Sequence, residues 1–261
     1  MTRDLFDLTG RTALVTGAGQ GVGRGIAHTL AAYGAKVAVN DFFLERAQAV
    51  AAEIEAEGGK AIGVTADVSD FEGVLAMTAR IEEALGGVDI LVNNAGNAGP
   101  DASMPRLDFW ETDPKEWDAY FRVNLRGPMV CARACTPGMV ARRHGRIVTI
   151  ISDAGRTGEQ GHEAYSAAKA GAGGFSRALA RALGRYGVTS NTISLSSIAK
   201  EGVPLPPEAE AMMKEALKRY IVRRRGLPSD VAPVVLLLAS DQSSWITGQN
   251  YPVNGGFALA L

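Results

Sequence analysis

Tyr165-Ser166-Ala167-Ala168-Lys169 places a phenol and an ammonium four residues apart, on one face of any helix that carries them. A free phenol ionises at about pH 10, and a neighbouring ammonium favours the phenolate. Tyr165 could then exchange a proton with an alcohol or carbonyl oxygen. The spacing alone is equally that of an inert pair. Ser152 follows the apolar run 147–151, so its hydroxyl would project at the carboxyl edge of a sheet, where α/β proteins gather ligands. It also reads as a serine that opens a turn.

A second cluster lies nearer the start. Thr16-Gly17-Ala18-Gly19-Gln20-Gly21-Val22-Gly23 stands between the apolar run 12–16 and a helical pattern beginning near Gly23. Glycines permit a tight turn and close backbone approach, so the N–H groups and positive dipole of the helix start can hold a pyrophosphate. A purely structural turn has the same composition. Asp41 follows the second apolar run, where a doubly wound nucleotide fold puts a carboxylate against the adenosine ribose. Its charge would repel a 2'-phosphate. No Lys or Arg lies in the glycine turn or directly after Asp41, since Phe42 and Phe43 come first and Arg46 only later, so NAD is expected rather than NADP. Asn93-Asn94-Ala95-Gly96 ends another run with short amides that either fix a turn or line a cofactor cleft. Asn124 falls within a long helical pattern, where an amide is a mildly poor helix former.

The elements that must position these residues alternate along the chain. Strands are expected at 12–16, 36–40, 61–65, 90–93, 145–151, 189–195 and 249–253. Helices are expected at 23–33, 44–57, 71–85, 117–140, 164–186 and 228–239. That order predicts an α/β fold, a single Rossmann-type doubly wound parallel sheet of about seven strands with helices on both faces. One dinucleotide-binding catalytic domain would span 1–261. The stretch 196–225 breaks the rhythm, because Gly202-Val203-Pro204-Leu205-Pro206-Pro207 leads into an amphipathic 208–219. It is either a substrate lid or an ordinary surface excursion.

Bulk properties exclude other classes. With 27 basic against 28 acidic side chains, the net charge of −1 offers no broad positive field for nucleic acid or an anionic membrane. The first ten residues hold no apolar run of signal-peptide or membrane-spanning length, and a cytoplasmic location is expected. Cys131 and Cys135 share a helix face without the further ligands a zinc site needs, so a reduced, packed pair and no metal are expected.

In order and spacing, Thr16 to Gly23, Asp67-Val68, Asn93 to Gly96, Asn124, Ser152 and Tyr165-x-x-x-Lys169 resemble the short-chain dehydrogenase/reductase family, in its 3-oxoacyl-reductase-like branch. The likeness runs from about Leu8 to Phe257. It implies an NAD(H)-dependent enzyme that interconverts a secondary alcohol and a ketone. By resemblance, Ser152 polarises the reacting oxygen and Tyr165 is the general acid/base. Lys169 would lower the pKa of Tyr165 and hold the nicotinamide ribose, and Asn124 would support a water in a proton relay. The same resemblance puts Gly17, Gln20, Gly21 and Val22 at the phosphates, Asp41 at the adenosine ribose, and Asp67 with Val68 at the adenine. Asn94, Ala95 and Gly96 would line the adenosine-side ribose and nearby cofactor, and the Ile198 backbone would meet the nicotinamide carboxamide. Three positions depart from the pattern: Leu195-Ser196 stands where the family usually shows Pro-Gly, and Lys200 where a Thr is usual. Asn254 also replaces a more usual Asp. The family commonly forms tetramers, so a homotetramer or homodimer is expected, through helices holding Cys131 and Ala172 and through the tail Phe257 to Leu261.

The substrate is less legible. Met104, Leu205, Phe109 and Trp110 suit either an apolar ligand or simple packing. Arg223-Arg224-Arg225 is either a solvated basic turn or a contact for a phosphorylated carrier such as the coenzyme A part of an acyl thioester. Ser152-Asp153 resembles family members that act on cyclic acyl-CoA substrates. Competing readings are an NADP-dependent ketone or 3-oxoacyl reductase of the same fold, and a non-catalytic nucleotide-sensing protein.

Overall fold

The computed structural model describes residues 5–96, 107–199 and 206–259; Met104, Lys200 and Leu205 lie outside them. Seven strands, β1 (Thr12–Val15), β2 (Lys36–Asp41), β3 (Lys60–Thr65), β4 (Ile90–Asn93), β5 (Gly145–Ser152), β6 (Val188–Leu195) and β7 (Asn250–Val253), form one sheet in the order β3-β2-β1-β4-β5-β6-β7. Every adjacent pair is parallel. The doubly wound sheet expected from the alternation is the one observed.

The crossovers are α1 (Gly21–Ala32), α2 (Leu44–Ala56), α3 (Phe71–Leu85), α4 (Pro114–Phe121), α5 (Gly127–Arg142), a single turn α6 (Ala154–Thr157), α7 (Glu163–Leu183), α8 (Pro207–Ala216) and α9 (Pro228–Ala239). Strands covered on both faces need apolar side chains at successive positions. Ala13, Val15, Val37, Val39, Ile90 and Val92 accordingly pack under α1, α2 and α9. The intervening Leu14, Ala38 and Leu91 face α3 and α5. Each fully buried residue of leucine or isoleucine size contributes about 1.5–3 kcal/mol by leaving water. Asp70 caps α3 by accepting from Gly73 N at 3.2 Å, and Asp113 caps α4 through Lys115 N at 2.9 Å.

Sheet order reverses direction between β1 and β4, which opens a crevice at their carboxyl ends. The loops and helix starts that follow β1, β4, β5 and β6 therefore meet over one edge.

The helix expected over 117–140 is three pieces, because a π-helical turn, Arg122–Arg126, joins α4 to α5. Pro128 has no N–H to return to the Asn124 carbonyl four residues before it, which accounts for the change of step. The expected insertion is α8 with a 3-10 turn, Leu217–Arg219, and neither has a buried residue. Cys131 and Cys135 are free and buried in α5. Burial pushes both thiols up, Cys135 to about 12, which keeps them protonated. Among the described residues no helix is long and apolar enough to cross a membrane, and no group of His, Cys, Asp or Glu could hold a metal ion.

Candidate active site

The glycine turn is shaped from beneath by Thr16 and Asn94. Thr16 Oγ1 accepts from the Asn94 and Ala95 amides at 3.0 and 3.1 Å. Asn94 Nδ2 donates to the Thr16 and Gly17 carbonyls at 2.9 and 3.0 Å. The Asn94 side chain thus fixes the turn, the first of the two roles its composition allowed. Gly17 has φ of 61°, and a Cβ there would lie 2.8 Å from Ala95 Cα. Gln20 sits at the N-cap of α1 without a side-chain cap, and the first turn, from Gly21 and Val22 onward, carries no carboxylate. Uncapped backbone amides and an unopposed helix dipole fit a pyrophosphate.

Asp41 closes this end. It is buried, its Oδ2 accepting from Gly19 N at 3.1 Å and its Oδ1 from Phe43 N at 3.1 Å. Gly19 must be glycine because a Cβ would stand 2.7 Å from Asp41 Oδ2 and 2.6 Å from Arg46 Cβ. Arg46, remote from the turn in sequence, is therefore beside it in space, its guanidinium 4.4 Å from the Phe43 ring centroid. Asp67 accepts from Ser69 N and Oγ at 2.8 and 2.7 Å and from Arg122 Nη2 at 3.1 Å. Burial raises its pKa, but these bonds outweigh it and hold the carboxyl below its usual range. Val68 is buried against α5, where a Cβ on Gly127 would approach its Cγ2 to 2.8 Å.

At the other end Ser152 is the last residue of β5 and pairs in register with Leu195 of β6. Its Oγ accepts at 3.1 Å from the N of Ala154, the first residue of α6. Tyr165 and Lys169 occupy the first turns of α7. Lys169 Nζ donates to the Ile150 carbonyl at 3.0 Å and lies 5.8 Å from the Tyr165 ring centroid. A Cβ on Gly96 would come 3.3 Å from both Asn124 Oδ1 and Lys169 Nζ, so three separate segments converge there. Asn124 is wholly buried in the π-helical turn, its Nδ2 donating to the Tyr120 carbonyl at 3.0 Å.

The protonation pattern differs from the sequence expectation. Burial pushes the Tyr165 phenol up, a hydrogen bond with Ser152 pulls it down, and repulsion from Glu159 raises it again, with a net rise. Lys169 was expected to lower it, and the net direction is upward. The same desolvation brings Lys169 itself down to about 8.

Beside Tyr165 is a pocket lined by Phe109, Trp117, Tyr120 and His162. Phe109 stacks on Trp117 with ring centroids 5.3 Å apart, and Tyr120 meets Tyr165 edge-on at 6.3 Å. Phe109 is thus a pocket wall, whereas Trp110 is 80% exposed. His162 Nε2 is buried without a hydrogen-bond partner. Sequence reasoning discounted Arg46 and missed Tyr120, Trp117 and His162. The Asn124–Pro128 spacing was a readable sign of the π-helical turn.

Ile198 forms an isolated parallel bridge to Gly226, three residues beyond β6. Its backbone follows Leu195, the last residue of β6 and the register partner of Ser152.

A family model described as enoyl-(acyl carrier protein) reductase matches residues 17–258. The (2S)-((R)-hydroxy(phenyl)methyl)succinyl-CoA dehydrogenase subunit BbsD of Thauera aromatica is 38% identical over 251 residues, 95% of this chain and 97% of that protein. A gluconate 5-dehydrogenase from Burkholderia cenocepacia, solved with NADP and tartrate, superposes with a TM-score of 0.90 at 31% identity, covering 99% of each chain. A 3-oxoacyl-(acyl-carrier protein) reductase from Brucella melitensis with bound NAD gives 0.87 at 36% identity, covering 98% of this chain and 94% of that one. With its parallel sheet, glycine turn and Ser152–Tyr165–Lys169 constellation, the chain belongs to the short-chain dehydrogenase/reductase family, oxidoreductases of CH–OH and ketone groups.

Proposed function

We propose that this chain interconverts a secondary alcohol and a ketone with NAD(H), Tyr165 acting as general acid and base. The observation that carries this reading is the meeting of Asn124, Ser152, Tyr165 and Lys169 at the sheet edge that also bears an uncapped, carboxylate-free helix start. Gly17, Gln20, Gly21 and Val22 would hold the pyrophosphate, Asp41 the adenosine ribose, Asp67 and Val68 the adenine. Asn94, Ala95 and Gly96 would line the cleft, and Ile198 would meet the carboxamide. A bound nicotinamide supplies the hydride acceptor or donor.

Ser152 orients the substrate oxygen through its hydroxyl. In reduction the Tyr165 phenol gives its proton to that oxygen, and in oxidation it takes the proton back. Its raised pKa suits the acid role. Lys169 is mainly charged below its pKa of about 8 and would then favour the phenolate needed for the reverse direction. Asn124 would hold the water that passes the proton onward.

A second reading keeps this chemistry with NADP, and the position of Arg46 beside Gly19 and Asp41 favours it. The buried Asp41 carboxylate opposes a 2'-phosphate and keeps NAD first. An acyl-CoA is a candidate substrate through the likeness to the Thauera dehydrogenase. The basic triplet adds little to it, because Arg224 and Arg225 are both bonded within the chain. The chain would act as one catalytic domain and assemble as a homotetramer or homodimer through α5 and α7.

Titration with NADH and NADPH, followed by cofactor fluorescence in the wild type and Asp41→Ala, tests the reading. Tight NADH with weak NADPH binding, relaxed by the substitution, is expected. Preference for NADPH moves the assignment to Arg46, and binding of neither revives the non-catalytic alternative.

A further inference from the structure

The triplet Arg223-Arg224-Arg225 does not form one basic patch. Arg224 turns to Asp230 in the first turn of α9, Nη1 to Oδ2 at 2.6 Å and Nη2 to Oδ1 at 2.8 Å. Arg225 turns the opposite way, to the segment that leaves β6. Its Nε donates to Ser197 Oγ at 3.3 Å and its Nη2 to the Ile198 carbonyl at 2.7 Å.

Buried Tyr220 grips the same segment: its hydroxyl bonds to Ser196 Oγ and accepts from Ser197 N at 3.3 Å. Backbone bonds from Ala199 N to Gly226 O, 2.8 Å, and from Gly226 N to Ser197 O, 3.0 Å, complete the stitch. Ser196, Ser197 and Ile198 are thus each held by a side chain from the far end of the insertion.

This segment follows Leu195, the register partner of Ser152, so its geometry is set next to the reacting centre. Here too Leu195-Ser196 replaces the usual Pro-Gly. Leu195 itself is held in β6, paired with Ser152 on one side and Val253 on the other, whereas Ser196 to Ile198 lie beyond the strand. The Ser196 hydroxyl, which glycine would lack, is the group that bonds Tyr220.

We propose that Tyr220 and Arg225 are positioning residues, whose side-chain bonds fix the segment beyond β6 and hold the Ile198 backbone to receive the nicotinamide carboxamide. The proposal rests on the reading of Ile198 as the nicotinamide contact given above. The Ile198 carbonyl has two lone pairs, so accepting Arg225 leaves it a second acceptor direction. Neither residue touches the reacting atoms; both act through the backbone they fix.

ADP-ribose separates this role from general support of the fold, because it carries the adenosine and phosphates but no nicotinamide. Calorimetric titration of wild type, Arg225→Met and Tyr220→Phe with NADH and with ADP-ribose is the test. Both variants should bind ADP-ribose within about twofold of wild type, and Arg225→Met should bind NADH about tenfold more weakly. Tyr220→Phe, which keeps the ring packing, should show the same selectivity with a smaller loss. Equal losses for both ligands, or none for either, would overturn the proposal while leaving the cofactor reading intact. A wild-type protein that binds neither ligand would overturn the cofactor reading and this inference with it.

Discussion

At the glycine turn, Thr16, Asp41 and Asn94 bond to neighbouring backbone, whereas at the head of α7 Lys169 is buried and Tyr165 half-buried, and desolvation displaces the protonation of both. The first region is shaped in advance, since each polar side chain that touches the turn also fixes its path. The second carries an electrostatic cost: Lys169 makes one bond to a neutral carbonyl, and its charge is opposed by burial. A phosphate cradle gains from rigid, satisfied donors, while proton transfer gains from groups whose charge is nearly balanced at the working pH. One edge of one sheet thus supports a region built for stability and a region that gives some of it up.

The largest expected effect falls on the chemical end. Tyr165→Phe keeps the ring and removes the exchangeable proton, so kcat should fall by about a hundredfold to ten-thousandfold while dinucleotide affinity stays within about twofold. Steady-state kinetics beside a binding titration check this. Near-normal turnover would remove Tyr165 from the chemistry and erase the contrast.

Lys169→Met asks whether the electrostatic cost is real. Its pKa falls from 10.5 to about 8 in the folded chain, equivalent to about 3 kcal/mol. Because the folded value lies below the unfolded one, the penalty is complete below pH 8 and fades as pH rises toward 10.5. The variant should therefore be more stable than wild type near neutrality by about 1–3 kcal/mol, after loss of the Ile150 bond, while losing activity. Urea unfolding at about pH 7 and pH 9.5 should show the gap narrowing at the higher value. A variant no more stable at neutrality would mean that this end is as well satisfied as the other.

Asn94→Ala tests the cradle in the opposite sense. Removing the bonds to the Thr16 and Gly17 carbonyls should cost about 1–2 kcal/mol of stability and weaken the dinucleotide about tenfold. Turnover at saturating cofactor should be nearly unchanged. A fall in kcat with unaltered affinity would join the two regions into one functional unit.

Much of this was legible in the chain because it depends on local order. Apolar runs marked all seven strands within about a residue or two, and the glycines, Asp41, Ser152 and Tyr165-x-x-x-Lys169 stood where elements start or end. Arg46 was discounted from its distance in sequence, yet the first turn of α2 returns it to Gly19. The split of 117–140 was hidden by unbroken helical periodicity, although Pro128 marked the place.

What the sequence determined by itself was the architecture and the family, since periodicity, glycine content and motif spacing are properties of order along the chain. Tertiary structure alone decided that burial raises the Tyr165 phenol and that Asn94 supports the turn. It also decided that the arginine triplet divides between Asp230 and Ile198. Desolvation and hydrogen-bond partners depend on which surfaces meet, and segments far apart in the chain meet only once the sheet is assembled.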